Sequence, residues 1–184
     1  MQNYFNEKAK YYLNSQKYQE CRLVAAINAA IFLNELPISQ ESIEYERLVD
    51  LVKARHGAAI SISKAHEYLR IIPHELNFLD LKTIKKYLDI DNPIEAVVWH
   101  KEPGLHSVLI VDYKKENNKI RVLNFEEITN NQWWVNWKTL KKYLYLQSNS
   151  PLGWVYIINP WYLRDLQIKN NQRILGESNA ILKV

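Results

Sequence analysis

The stretch SQKYQECRLVAAINAAIFL, residues 15 to 33, carries the chain's only cysteine, Cys21, one residue into a run that is apolar almost all round. A lone cysteine has two readings. It packs as a small hydrophobe, or, at a helix N-terminus, its thiolate is favoured by the macrodipole and serves as a nucleophile. A thiolate needs a proton-transfer partner, and of the five histidines His106 is the one that opens an apolar strand pattern, LHSVLIVDY, directly after Pro103-Gly104. A group there is held rigidly and stays reachable. In the next strand pattern, KIRVLNF, Asn124 is the polar side chain within its apolar end, VLNF. If the turn KKENN leaves an odd number of unpaired residues, His106 and Asn124 project from one face, opposite or one diagonal step apart. The competing reading of Asn124 is a strand-edge amide bonded to a neighbouring loop.

The elements that must hold these residues follow from periodicity. Residues from about 19 to 34 form a helix whose run from Cys21 to Leu33 is broken in its apolarity only by Arg22 and Asn28, and a helix apolar on every side belongs in the middle of a fold. After Pro37, Ile43, Leu48, Leu51 and Val52 are spaced for one helical face, with Gly57 placed as a C-cap. ISKAHEYLRII and LDLKTIKKYLDI give two more short helices, the first leading into a strand toward Pro73. The period then changes. IEAVVW (94–99), LHSVLIVDY (105–113), KIRVLNF (119–125) and GWVYII (153–158) are strands of an antiparallel sheet. Trp134, Trp137, Leu140 and Leu144 recur at helical spacing between the last two, so WWVNWKTLKKYL is expected to be a helix. The strand 105–113 is apolar on both faces and must be covered twice.

Helices followed by antiparallel strands spell an α+β fold, and 184 residues fit a single domain, 1–184. One cysteine excludes an intramolecular disulfide, and the N-terminus has no apolar run of signal-peptide length, so a cytoplasmic location is expected. No stretch approaches 18 apolar residues, which argues against a membrane span. The net charge is +4, but lysines are dispersed among glutamates, which argues against nucleic acid as a partner. No histidine pair has metal-site spacing, and neither a metal nor a cofactor is expected.

A buried helix headed by Cys21, a later strand opening on His106 and an amide in the next strand together resemble the papain-like cysteine peptidases. The resemblance is closest to their compact bacterial branch, the bacteriocin-processing peptidases that act on double-glycine leaders, and it covers roughly residues 13 to 160. It implies a papain-like fold with the cysteine helix packed on the sheet, and a triad of Cys21, His106 and Asn124. The interval from 106 to 124 is 18 residues, against about 17 in that branch. The chain departs from the family pattern in having Arg22 after the cysteine, Phe125 after Asn124, and Ser15 where the oxyanion glutamine usually stands. Gln16 is then the candidate for the oxyanion hole and Gln19 the runner-up.

The implied chemistry is acyl transfer, most simply hydrolysis of a peptide or protein substrate. Cys21 attacks as thiolate, His106 moves the proton, and the Asn124 side chain holds the imidazole in its productive tautomer. That requires the Cys21 sulfur within about 3–5 Å of a His106 ring nitrogen, with Arg22 turned about 100 degrees away around the helix. Acyltransferases share the scaffold. So does a catalytically inactive binding module, in which Cys21 is only buried and Trp133, Trp134 and Trp137 face a partner. The sequence leaves substrate identity and oligomeric state open.

Overall fold

A computed structural model describes residues 21–34, 43–53, 58–99, 104–125, 134–147, 150–151, 153–158 and 160. Gln16, Gln19, Gly57, Trp133 and the tail from Arg164 lie outside the described residues.

Helix α1 (Cys21–Asn34) is followed by α2 (Ile43–Lys53), α3 (Ala58–Leu69), strand β1 (Ile71–Glu75) and α4 (Leu81–Leu88). Strands β2 (Ile94–Trp99), β3 (Leu105–Lys114), β4 (Lys119–Leu123) and β5 (Trp134–Asn136) come next, then the short α5 (Trp137–Lys141). The two-residue strands β6 (Leu146–Gln147) and β7 (Ser150–Pro151) pair with each other, and β8 (Gly153–Ile158) closes the order. The main sheet is antiparallel throughout, in the order β1-β8-β2-β3-β4-β5. Pro73 sits in β1, at the edge, where a residue without an N–H is tolerated.

Strand alternation sorts the core into two layers. Leu109 and Val111 join Leu123, Tyr156 and the α1 residues Leu23, Val24, Ile27 and Ile31 on one face. Val108 and Ile110 join Ile94, Ala96, Val98 and Val122 on the other, beneath Ile84 and Leu88 of α4 and Leu140 of α5. The two-sided apolarity of 108–111 thus has its physical cause: β3 is interior to the sheet and covered on both faces. Helix α1 contains no Gly or Pro, and its alanines let it approach the sheet closely. Fully burying each of its larger apolar side chains contributes roughly 1.5–3 kcal/mol.

Three local features differ from the sequence expectation. Strand β4 ends at Leu123 rather than at 125, because Asn124 takes φ +61, outside the extended range. Residues 134–136 are a strand, not the start of a helix: Trp134, Val135 and Asn136 pair with Arg121, Ile120 and Lys119. Asn136 then caps α5, its Oδ1 accepting from the Lys138 N–H at 2.9 Å, so the helix starts only at Trp137. Finally, the β3–β4 turn leaves four residues between paired Lys114 and Lys119, an even number. A bulge at Val111 shifts the register by one, so that Leu109 faces Leu123. Equal parity is restored by the bulge, not by the turn.

Candidate active site

Gly104 has φ +116, a conformation open to glycine, and it brings the chain into β3 two residues before His106. His106 is half-buried, and it pairs across the sheet with Val98. Val98 belongs to the core layer on the far side from α1, so pleating starts the His106 side chain on that face, at the end of the sheet. There its Nε2 donates to the main-chain carbonyl oxygen of Asn124 at 2.7 Å.

The link to Asn124 is therefore a correction to the expected one. The contact comes from the carbonyl, while the Asn124 carboxamide nitrogen donates to the Ser107 carbonyl at 3.1 Å. The cause is backbone conformation. Asparagine is among the few residues that enter the left-handed region readily, and at φ +61 the peptide leaves the ladder. The register extrapolated past Leu109 and Leu123 sets Asn124 opposite Val108, one diagonal step from His106. The expected closeness of His106 and Asn124 is present. A carbonyl only accepts, so Nε2 carries the proton and Nδ1 is the basic nitrogen of the neutral ring.

Cys21 is the first residue of α1 as described and is half-buried. Its neighbour Arg22 turns toward the sheet. The guanidinium lies over the Trp154 ring at 4.8 Å, and its Nε stands 3.5 Å from Glu95 Oε1, an ion pair whose N–H does not line up as a hydrogen bond. Arg22 is thus part of the structure beneath the helix. Cys21 lies about 100 degrees further round.

Glu95, the one acid in the apolar strand pattern IEAVVW, is fully buried. Its strand neighbours Ile94 and Ala96 face the α4 layer, so Glu95 faces α1. Ser107 Oγ donates to Oε1 at 2.7 Å, and the Tyr156 hydroxyl donates to Oε2. With its one proton committed, the Tyr156 oxygen accepts from His66 Nε2 at 3.3 Å. Burial first, and then the adjacent Arg22 charge, hold the His66 pKa down to about 4. Burial first, and then the Glu95 carboxylate, push the Tyr156 phenol well above its ordinary range. A single acid inside IEAVVW, with the opposite parity to Ile94 and Ala96, was the sequence signal for this cluster.

The tryptophans of the rival binding-module reading are engaged internally where they are described. Trp134 is covered by Lys114 Nζ at 4.7 Å and Arg121 at 5.6 Å, and Trp137 packs against the α4-side core. Among the described residues, Trp99 and Leu105 are exposed apolar groups that pair across β2 and β3, one position along the ladder from Val98 and His106. Trp99 also meets Tyr145 edge to face at 5.3 Å.

No family model matches the chain, and no curated protein matches it. Among solved structures, it is similar to the peptidase domain of Streptococcus ComA, a bifunctional ABC transporter involved in a quorum-sensing pathway. The identity is 16% and the TM-score 0.51, over 82% of this chain and 98% of that one. At that identity the likeness speaks for the fold. No described helix is long and apolar enough to cross a membrane.

Proposed function

We propose that the chain is a papain-like cysteine peptidase or related amide hydrolase, with Cys21 as nucleophile, His106 as general base and acid, and Asn124 as the residue that fixes the imidazole. The carrying observation is the 2.7 Å contact from His106 Nε2 to the Asn124 carbonyl, which leaves Nδ1 as the basic atom of a neutral ring. The fold shared with a peptidase domain supports the same reading.

In this reading thiol and imidazole meet at the end of the sheet, beside the start of α1, rather than across the sheet face. Nδ1 takes the thiol proton, and the thiolate attacks the substrate carbonyl carbon. The tetrahedral adduct collapses as Nδ1–H protonates the leaving amine, and a thioester remains. Water then gives a proton to Nδ1 and attacks that thioester, and the thiolate departs. The oxyanion is held by the Cys21 N–H and the side chain of Gln16, or of Gln19, both glutamines lying outside the described residues. The substrate is a peptide or protein.

Iodoacetamide alkylation across pH tests the pair. Cys21 should react at pH 6 faster than a thiol of ordinary pKa, about 8.5, and His106→Ala should slow it about tenfold or more. A sluggish thiol indifferent to His106 would return Cys21 to the role of a buried hydrophobe.

A further inference from the structure

Glu95 is fully buried on the α1 side of the sheet, between Leu109 and Trp154 on the neighbouring strands. Taking a carboxylate out of water is costly, and an apolar side chain of similar volume would fill the same space. What the acid adds is direction. Its Oε1 receives Ser107 Oγ at 2.7 Å and faces Arg22 Nε at 3.5 Å. Ser107 is the residue after His106, and Arg22 is the residue after Cys21. One buried oxygen thus ties down the sequence neighbours of both reacting residues.

Leu23, Val24 and Ile27 of α1 share an apolar layer with Leu109 and Val111 of β3. Such packing is non-directional and leaves a helix some freedom to slide or turn on a sheet. The carboxyl itself is held from behind, by the Tyr156 hydroxyl on Oε2 and by His66 on that hydroxyl. We propose that Glu95 is a positioning residue, whose carboxyl sets the separation and facing of Cys21 and His106 by holding Arg22 and Ser107 on one oxygen. This rests on the Cys21–His106 reading above. Glu95 acts through Arg22 and Ser107, the side chains it meets.

A double-mutant cycle on the alkylation rate at pH 6, with iodoacetamide as the probe, separates positioning from general support of the fold. Glu95→Gln keeps the size but presents an amide to donors, and Ser107→Ala removes only the link to β3. Each should slow alkylation about tenfold in the otherwise native chain, since small misplacements at a reacting pair are costly. In the His106→Ala background each should change it less than about twofold. A merely structural role would loosen the fold and alter the rate similarly in both backgrounds, and that result overturns the proposal. So does an unchanged rate in folded Ser107→Ala, the variant that carries the test should Glu95→Gln fail to fold. If His106→Ala alone leaves the rate untouched, the catalytic reading and this proposal fall together; if it slows the rate but neither Glu95→Gln nor Ser107→Ala does, this proposal alone falls.

Discussion

The His106 imidazole is fixed by a main-chain atom: its Nε2 donates to the carbonyl oxygen of Asn124, 2.7 Å away. A main-chain acceptor does not titrate and cannot be removed by substitution. It also dictates which ring nitrogen is basic. The neutral ring should therefore be the Nε2–H form, and nitrogen-15 chemical shifts of labelled histidine should show Nδ1 as the unprotonated nitrogen. An Nδ1–H tautomer would break the assignment of roles.

The same contact ranks substitutions at Asn124. Glycine tolerates φ +61 and keeps the carbonyl in place, whereas a β-branched residue is forced out of that region at a cost of about 1–3 kcal/mol. Asn124→Val should therefore slow Cys21 alkylation at pH 6 by about tenfold more than Asn124→Gly does. Equal losses would mean that the carboxamide, not the backbone, orients the ring.

His66 makes stability depend on pH. The folded protein holds it neutral down to about pH 4, while the unfolded chain takes up the proton near 6.5. Between those values the unfolded state binds more protons, so stability is complete above pH 6.5 and falls as the pH drops toward 4. The span corresponds to about 3 kcal/mol at most. Urea unfolding at pH 7 and pH 4.5 should show the loss, and His66→Gln should flatten it.

Gly153 is required by proximity. A Cβ there would meet the Glu95 carbonyl oxygen at 2.9 Å and Leu79 Cδ2 at 3.3 Å. Backbone cannot give way as a flexible side chain would. Gly153→Ala should cost about 1–3 kcal/mol in denaturant unfolding by forcing β8 away from β2, and a neutral effect would show that the pair has slack.

The sequence by itself determined the class of fold and the neighbourhood of the candidate site. The all-round apolarity of 21–33 demanded a central helix, and the apolarity of 108–111 on both parities demanded an interior strand, because each pattern has only one way to leave water. It also singled out His106 and Asn124, but their diagonal step holds only because the bulge at Val111 offsets the even turn. Tertiary structure decided how they touch. The even turn and the compensating bulge at Val111 involve no unusual composition, so sequence alone could not choose the register. The left-handed turn at Asn124 exchanged the side chain for the carbonyl as the partner of His106. Trp134 to Asn136 became a strand because β4 offered an open edge, a non-local pairing that outweighed their helical spacing. Glu95 was legible only as an acid in an apolar strand. Its meaning came from Arg22, Ser107, Tyr156 and His66, which are far apart in the chain and converge only where the sheet and the helices that carry Arg22 and His66 pack together.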